Sequence, residues 1–322
     1  MRAPDFWSRT DFSSRFFVAL LTPLGKLYGA VAAWKAKHAT PWRPPVPVVC
    51  VGNLTSGGTG KTPVAIAIAE GLKARGRKPF FLTRGYGGSV RGPLLVTAEH
   101  TAAEVGDEPL LLAATAPVIV SPDRLKGAHL ALEQGADALV MDDGHQNFAL
   151  AKTLALVVVD AAQGFGNGRL LPAGPLRETV REGLARADAV VLMGDGAPDL
   201  EGYKGTVLHA RLEPEGGEEL KGKRIVAFAG IGRPEKFFAS LRDLGTELVA
   251  EVPFGDHHVY TANEIANLKA RAQRENALLV TTQKDLMRLA AAEREGIAVL
   301  KVRAAFKWHT LEHLLDRLPL SR

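Results

Sequence analysis

A glycine-rich loop containing a lysine constrains the fold of this chain more than any other feature. The loop follows the apolar run 46–51 and precedes the run 63–74, which has helical periodicity. Its residues are Thr55, Ser56, Gly57, Gly58, Thr59, Gly60, Lys61 and Thr62. Between a strand and a helix, such a loop surrounds phosphate oxygens with backbone N–H groups, while the lysine approaches the β/γ-phosphates and the threonine hydroxyl binds Mg²⁺. The sequence therefore predicts an α/β fold that binds a nucleoside triphosphate.

One position of this loop departs from the usual pattern, which begins with glycine where this chain has Thr55. The alternative interpretation is a glycine-rich turn in which Lys61 and Thr62 stand next to each other by chance. The apolar run before the loop and the helical run after it favour the nucleotide site, because that context is what distinguishes the motif from a turn.

Strands and helices alternate along the rest of the chain, which indicates a parallel sheet covered on both faces. Glycine, proline and glutamate are frequent in 195–222, and this stretch is a candidate inter-domain connection. We therefore expect a P-loop NTPase-like domain preceded by an N-terminal amphipathic helix (1–212) and a smaller C-terminal α/β domain (213–322). The predicted strands are 46–51, 79–83, 117–121, 138–141, 154–160, 189–193, 224–229, 248–252, 278–281 and 298–302, and the predicted helices are 63–74, 124–134, 235–244 and 262–276.

The net charge of the chain, +5, is concentrated at its N-terminus. Residues 1–43 contain seven basic and two acidic residues, so the remainder is neutral. This distribution argues against a broad nucleic-acid-binding surface. Cys50 is the single cysteine, which excludes a disulfide framework or a thiolate metal cluster and points to a reducing compartment.

The N-terminal arm is apolar as well as basic. Its apolar side chains recur at helical spacing, at Phe17, Leu20, Leu21, Leu24, Tyr28 and Val31. The uncharged stretch Phe16–Gly25 is only ten residues long, whereas a spanning helix needs about 20 apolar residues. We therefore expect no transmembrane helix and no signal peptide, but a basic amphipathic helix in the membrane interface. The alternative is a helix packed on the protein's own core, and the two interpretations are compatible.

An apolar strand that ends in Asp142 and Asp143 has the form of a Walker-B segment, which presents a carboxylate to Mg²⁺ beside the P-loop. Adjacent residues of a strand point to opposite faces, so only one carboxylate can face the metal. We favour Asp142, at the end of the strand, over Asp143, and the alternative of a strand-terminating Asp-Asp-Gly turn stays open. His145 follows as a candidate polar contact.

Other polar groups are individually ambiguous. Asp107, in Gly-Asp-Glu-Pro, is better explained, when taken alone, as part of an exposed acidic turn before a helix, where aspartate is a favoured cap. The pair His257 and His258 is not explained by capping, and a zinc site is not expected there because no cysteine or helical His-x-x-x-His pair accompanies it. Lys284 and Arg288 either meet anions or are solvated.

Taken together, these segments resemble the tetraacyldisaccharide 4'-kinase family of lipid A biosynthesis. The resemblance runs in order from the N-terminal arm to about Arg288, and the family shares the threonine at the first loop position. The segments are Val-Gly-Asn-Leu-Thr-Ser-Gly-Gly-Thr-Gly-Lys-Thr-Pro, Thr-Arg-Gly-Tyr-Gly, Gly-Asp-Glu-Pro, Asp-Asp-Gly-His-Gln, Gly-Arg-Leu-Leu-Pro-Ala-Gly-Pro-Leu-Arg-Glu, Phe-Gly-Asp-His-His and Thr-Thr-Gln-Lys-Asp.

The resemblance implies an enzyme on the cytoplasmic face of the inner membrane. It would transfer the γ-phosphate of ATP to the 4'-hydroxyl of a tetraacylated glucosamine disaccharide 1-phosphate, giving lipid IVA, with Mg²⁺ as cofactor. Its expected partners are this lipid and the membrane surface, with no nucleic acid and no obligatory protein partner.

The resemblance also implies roles for individual residues. Asp107 would accept the proton of the sugar hydroxyl, and His257, rather than His258, would orient it. Lys61 would contact the transferred phosphate. The candidate Mg²⁺ ligands are Thr62, Asp142, Asp143 and Glu178. Because the nucleotide site and His257 belong to different predicted domains, we expect the two domains to close around the substrate.

Two other functions are consistent with parts of this sequence. The loop is also similar to that of P-loop GTPases and metal-delivery switches, but the guanine-reading Asn-Lys-x-Asp motif is not found, and the nearest match, Thr282–Asp285, has glutamine in place of asparagine. A non-catalytic membrane adaptor would leave Asp107 and His257 without a role.

Overall fold

The computed structural model describes residues 4–7, 9, 11–307 and 309–318. A 12-stranded sheet runs through these residues in the order β10-β9-β11-β12-β8-β7-β6-β1-β5-β2-β4-β3. The strands are β1 (Val48–Gly52), β2 (Pro79–Thr83), β3 (Leu94–Leu95), β4 (Val118–Val120), β5 (Ala138–Asp142), β6 (Leu154–Asp160), β7 (Ala189–Met193), β8 (Thr206–Glu215), β9 (Arg224–Ala229), β10 (Glu247–Pro253), β11 (Leu278–Thr282) and β12 (Ile297–Phe306).

Helices connect the strands and cover the sheet. They are α1 (Phe12–His38), α2 (Lys61–Ala74), α3 (Ala102–Val105), α4 (Asp107–Ala113), α5 (Arg124–Glu133), α6 (Val180–Leu184), α7 (Pro234–Asp243), α8 (Ala262–Arg274), α9 (Gln283–Arg288) and α10 (Thr310–Leu315). Short 3-10 turns lie at Asp5–Trp7, Glu218–Leu220 and Ala291–Glu293. The mixed α/β fold with a parallel-dominated sheet is as predicted.

The N-terminal half of the sheet is built around β1, which pairs in parallel with β5 on one side and β6 on the other. Every residue of these three strands is buried. Continuous apolar strands of this kind are expected when helices cover both faces of a sheet. The pairing sets Val51 opposite Asp142, so the loop after β1 and the carboxylates after β5 lie at the same edge of the sheet.

The C-terminal half, β9 to β12, is a smaller parallel sheet with its own core. Ile225 and Ala227 of β9 pack on the side of α7, while Val226 and Phe228 pack on the side of α8. It joins the N-terminal half where β12 pairs antiparallel with β8, and β8 pairs in parallel with β7.

The stretch 195–222, predicted as a connection, contains β8. The prediction missed this strand because Leu208 and Ala210 are its only buried residues, so it has no continuous apolar run. The predicted boundary between 212 and 213 falls inside β8, and the division into two domains stays a prediction.

Helix α1 has 27 residues, begins after Asp11, whose carboxylate accepts the Ser14 N–H, and continues through Pro23. By length and composition it is long enough to cross a membrane. Lys26 does not interrupt the helix, so the length of the uncharged stretch does not exclude a span, and the interfacial position of α1 stays a prediction. Large apolar side chains are exposed along it, at Phe12, Phe16, Phe17, Leu20, Leu24, Leu27, Tyr28, Val31 and Trp34.

Part of α1 nevertheless faces the body of the protein. A Cβ at Gly25 would lie 3.0 Å from the Leu170 carbonyl oxygen, and one at Gly29 would lie 2.6 Å from Leu170 Cδ1. The indole of Trp7 donates to the carbonyl oxygen of Pro172 at 3.1 Å. The middle of the helix thus packs against the loop that precedes α6, while its other faces are uncovered.

Candidate active site

The P-loop leaves β1 at Gly52, directly against the turn that follows β5. A Cβ at Gly52 would lie 2.5 Å from His145 Cβ, so only glycine allows this approach. His145 is buried, with its Nε2 2.9 Å from the Gly183 carbonyl oxygen. Burial lowers the pKa of His145 to about 4, since a charged ring would be desolvated there. At the far end of the loop, Gly60 has φ 88°, a left-handed conformation that glycine adopts without strain.

Thr62 and Asp142 are in contact at the base of the loop. The Thr62 hydroxyl donates to Asp142 Oδ2 at 3.1 Å. The other oxygen of Asp142, Oδ1, is buried and has no hydrogen-bond partner among the described residues. Burial, followed by repulsion from Glu108, raises the pKa of Asp142 to about 7. A buried, unpartnered carboxylate oxygen beside a hydroxyl fits a divalent cation that prefers oxygen ligands.

The described residues contain no group of three or more His, Cys, Asp or Glu side chains that could enclose a metal. Mg²⁺ is usually held by one or two carboxylates, substrate phosphates and water. The Thr62–Asp142 pair therefore provides the kind of open site that this ion uses with a nucleotide.

Asp143 has different partners from Asp142. Its Oδ1 lies 3.7 Å from Lys61 Nζ and 2.7 Å from Arg177 Nη1. Burial alone would raise its pKa, but Lys61 and Arg177 outweigh burial and hold the pKa of Asp143 below its usual value. The backbone at Asp143 has φ 52°, so the chain turns sharply after Asp142 and sends the two side chains in different directions.

Glu178 is buried and contacts the turn that follows β5. Its Oε1 accepts from Gln146 Nε2 at 2.8 Å, and its Oε2 pairs with Arg186. Within the described residues, neither oxygen has a hydrogen bond to Thr62 or Asp142. The geometry thus ties Glu178 to the Asp-Asp-Gly-His-Gln turn, and its role as a metal ligand stays a prediction.

Asp107, the first residue of α4, lies beside His257 from the C-terminal half of the sheet. The distance from Asp107 Oδ2 to His257 Nδ1 is 3.3 Å. The same oxygen accepts from Arg288 Nε at 2.7 Å. Burial opposes ionisation of this carboxyl, but His257, Lys284 and Arg288 outweigh it and hold the pKa of Asp107 well below its usual range.

His257 and His258 point in different directions because His257 has φ 57°. The ring of His257 packs edge-on against Tyr86, with the ring centroids 5.6 Å apart. His258 instead lies 3.1 Å from Glu264 Oε1 and stacks on Phe254. The geometry places His257, and not His258, beside Asp107.

Three basic residues of the C-terminal half reach the site without having been assigned a role from the sequence. Lys284 Nζ lies 3.0 Å from Glu108 Oε1, and Arg288 holds Asp107, so neither is simply solvated. Arg233 donates to the carbonyl oxygen of Gly58, in the middle of the P-loop, at 3.2 Å. The Thr-Thr-Gln-Lys-Asp segment contains Lys284 and ends three residues before Arg288, so it was a signal for both, whereas nothing in the sequence marked Arg233.

The model of the family described as tetraacyldisaccharide-1-P 4'-kinase matches residues 17–319. The chain belongs to this family. Two relatives named tetraacyldisaccharide 4'-kinase support the assignment. One from Paramagnetospirillum magneticum is 51% identical over 99% of each chain. One from Rhodospirillum centenum is 50% identical over 99% of this chain and 97% of the relative.

A solved structure also matches. The crystal structure of LpxK from Aquifex aeolicus in complex with ATP has 28% sequence identity and a TM-score of 0.76, covering 93% of this chain and 98% of that chain. These similarities confirm the family inferred from the motifs and the P-loop kinase fold. The alternatives of a GTPase or metal-delivery switch and of a non-catalytic adaptor are wrong.

Proposed function

We propose that this protein transfers the γ-phosphate of ATP to the 4'-hydroxyl of tetraacyldisaccharide 1-phosphate, giving lipid IVA. Family membership supports the reaction, and one structural observation supports its location. The Asp107–His257 pair lies near the P-loop, because α4, which begins at Asp107, packs against α2, which begins at Lys61. This packing supports a nucleotide site and an acceptor site that are neighbours.

The P-loop residues 55–62 would bind the phosphates of ATP. Backbone N–H groups of the loop and the N-terminus of α2 face an anion bound there. Lys61 would then exchange its contact with Asp143 for the β/γ-phosphates, where its charge stabilises the transition state. Thr62 and Asp142 would hold Mg²⁺, with Asp143 and Glu178 in supporting positions. When bound, the ion would neutralise charge on the phosphate oxygens.

Asp107 would orient the acceptor hydroxyl and accept its proton as the 4'-oxygen bonds to the γ-phosphorus. The bond from that phosphorus to the β–γ bridging oxygen breaks, and ADP leaves with the bridging oxygen. A carboxylate with a lowered pKa is a weak base, but phosphoryl transfer has a loose transition state in which positioning and charge neutralisation dominate. His257 would hold Asp107 in place, and closure of the C-terminal part of the chain over the cleft would exclude water.

The lipid substrate places the enzyme at a membrane, and we propose that α1 binds peripherally to the cytoplasmic face of the inner membrane. The exposed apolar side chains of α1 provide the buried area, and the net charge of the arm favours anionic lipid by about 1 kcal/mol for each basic residue near the surface. The contacts of Gly25 and Gly29 with Leu170 support a helix that lies beside the protein body. No nucleic acid or obligatory protein partner is expected.

The test is a phosphorylation assay with purified protein, ATP and tetraacyldisaccharide 1-phosphate, followed by chromatography of the lipid. Lipid IVA, whose 4'-hydroxyl already carries phosphate, serves as the control acceptor. We expect labelled product from the first acceptor and none from the second. Asp107→Asn should bind ATP normally and form no product. Turnover of GTP without lipid phosphorylation would overturn the proposal.

A further inference from the structure

Arg288 contacts more groups of the acceptor site than an anion contact, the role considered from the sequence, would require. Its side chain is only 7% exposed. Nε and Nη2 lie 2.7 and 2.5 Å from Asp107 Oδ2, while Nη1 donates to the Gly230 carbonyl oxygen at 2.6 Å and to Asp285 Oδ1 at 2.8 Å. The guanidinium therefore connects α4 to the turn after β9 and to its own helix.

The Gly230 carbonyl extends this connection to His257. It accepts from the backbone N–H of His257 at 3.0 Å, in addition to Arg288. His257 has a left-handed backbone, which costs about 1 kcal/mol or more for a residue with a Cβ unless its surroundings hold it. One arginine thus fixes the Asp107 carboxylate directly and the His257 backbone through a shared acceptor.

We propose that Arg288 is the positioning residue for the Asp107–His257 pair. It sets the orientation of the Asp107 carboxylate and keeps this carboxylate ionised while the C-terminal half of the sheet lies against α4. The proposal rests on the catalytic role proposed for Asp107, and Arg288 acts through that residue without touching the substrate.

The carboxylate of Asp285 holds the Arg288 guanidinium in one place. This carboxylate is fully buried, and besides Arg288 its Oδ1 accepts from the Gly230 N–H at 3.0 Å and the Tyr260 hydroxyl at 2.9 Å. Its Oδ2 accepts from the Thr282 hydroxyl. Gly230 therefore uses its N–H for Asp285 and its carbonyl for Arg288 and the His257 N–H, so the turn after β9 that contacts the His257 backbone is anchored at both backbone groups of Gly230.

The geometry requires arginine and not merely a positive charge. A guanidinium presents several N–H donors in a rigid plane and can serve Asp107, Gly230 and Asp285 at once. A lysine ammonium at the same site would keep the charge near Asp107 but could not hold all three acceptors in their present directions. Substitution by lysine therefore separates the electrostatic contribution from the positional one.

The charged groups facing Asp107 come from three elements. Glu108 is its neighbour in α4, His257 lies in the turn after β10, and Lys284 and Arg288 both belong to α9. Removing the cation of Arg288 leaves Lys284 and His257 as the stabilising groups. The pKa of Asp107 should then rise towards its usual value.

The experiment compares Arg288→Lys, Arg288→Met and Asp107→Asn in the full-length enzyme. We measure kcat and the KM for ATP and for the lipid. Arg242→Met is the matched control, because Arg242 pairs with Glu251 at the surface of the same half. Thermal unfolding and ATP binding establish that each variant is folded.

For Arg288→Met we expect kcat to fall by about 100-fold, as for a misplaced catalytic group, with the KM for ATP unchanged. Arg288→Lys keeps the positive charge but should also lose kcat, with the KM for ATP unchanged. If Arg288→Met does not fold, Arg288→Lys decides the question through its kcat alone.

Two results would overturn different statements. Wild-type kcat in Arg288→Lys or Arg288→Met, with Asp107→Asn inactive, would overturn the positioning role while leaving the proposed function intact. Full activity of Asp107→Asn would overturn the role of Asp107 in the proposed function, and the inference about Arg288 with it.

Discussion

Arg233 Nη2 lies 2.6 Å from Asp160 Oδ2, which joins the turn before α7 to the carboxyl end of β6. The same nitrogen donates to the Gly58 carbonyl oxygen at 3.2 Å, and Lys236 Nζ lies 3.0 Å from the same carboxylate oxygen. Asp160 is buried, whereas Gly58 is at the exposed tip of the P-loop. One arginine of the C-terminal half thus braces the loop that is expected to enclose the phosphates of ATP.

Arg233→Ala should weaken ATP binding by about tenfold. Hydrogen bonds to charged groups contribute about 1.5–3 kcal/mol, and about 1.4 kcal/mol corresponds to a factor of ten. Isothermal titration with a non-hydrolysable ATP analogue measures the change. The KM for the lipid should not change, because Arg233 contacts the nucleotide loop and not the Asp107 region.

The control is Arg242→Ala, because Arg242 is in α7, the helix that begins after Arg233, but pairs at the surface with Glu251. Equal affinities in the two variants would contradict a bracing role.

Asp142→Asn should raise the Mg²⁺ concentration needed for half-maximal activity, and Thr62→Ala should do the same to a smaller extent. The reason is that these residues supply the carboxylate and hydroxyl oxygens at the base of the loop, and Asp142 Oδ1 has no other partner among the described residues. Titration of activity with free Mg²⁺ at saturating ATP measures the effect.

Asp143→Asn provides the contrast within the same turn. Asp143 is held by Lys61 and Arg177, so this variant should lower kcat through a displaced lysine and leave the Mg²⁺ requirement unchanged. An increased requirement in Asp143→Asn, with a normal one in Asp142→Asn, would reverse the assignment of the two carboxylates.

Three strands were predicted with the bounds that the structure has, because each is a continuous apolar run: 79–83, 154–160 and 189–193. The structure buries every residue of these three strands. Strand β8 lacks such a run, since Leu208 and Ala210 are its only buried residues, and tertiary pairing with β7 and β12 defines it instead. Local sequence therefore predicts a strand that has an apolar run, but not one that is defined by its pairing partners.

The candidate site shows the same limit at the level of side chains. The phosphate-binding loop is a contiguous motif, so its sequence was enough to predict it. The contact of Arg288 with Asp107 joins residues 181 positions apart, and no local pattern specifies it. The interpretation of Asp107 as an exposed helix cap was wrong, because Asp107 is buried. Gly106 occupies the cap position, and Asp107 Oδ1 accepts from the Glu108 N–H while Oδ2 faces α9.

His145 should make the free energy of unfolding depend on pH between about 6.5 and 4. Burial lowers the pKa of His145 to about 4, against about 6.5 in an unfolded chain. In this window the unfolded state binds a proton that the folded state does not, so stability is lost as pH falls. Below about pH 4 both states are protonated and the loss is complete, at up to about 3 kcal/mol.

The check is urea unfolding of the wild type and His145→Gln between pH 7.5 and 4. His145→Gln should be less stable at pH 7.5, because the contact with the Gly183 carbonyl is altered, and the gap should narrow as pH falls. A gap that is constant over this range would show that His145 is not the titrating group.

Cysteines introduced singly at the two ends of α1 should both be labelled from the same side of the membrane. Cys50 is buried, and burial raises the pKa of its thiol to about 11, so the native cysteine should react little with maleimides. Ser13→Cys and Lys37→Cys place exposed thiols near the start and the end of the helix.

In inverted inner-membrane vesicles, a membrane-impermeant maleimide should label both, because the packing of Gly25 and Gly29 against Leu170 keeps the middle of α1 beside the catalytic body. In right-side-out vesicles neither should react. A helix that spans the bilayer would instead expose Ser13→Cys and Lys37→Cys on opposite sides, and labelling of only one variant in each preparation would contradict the peripheral arrangement.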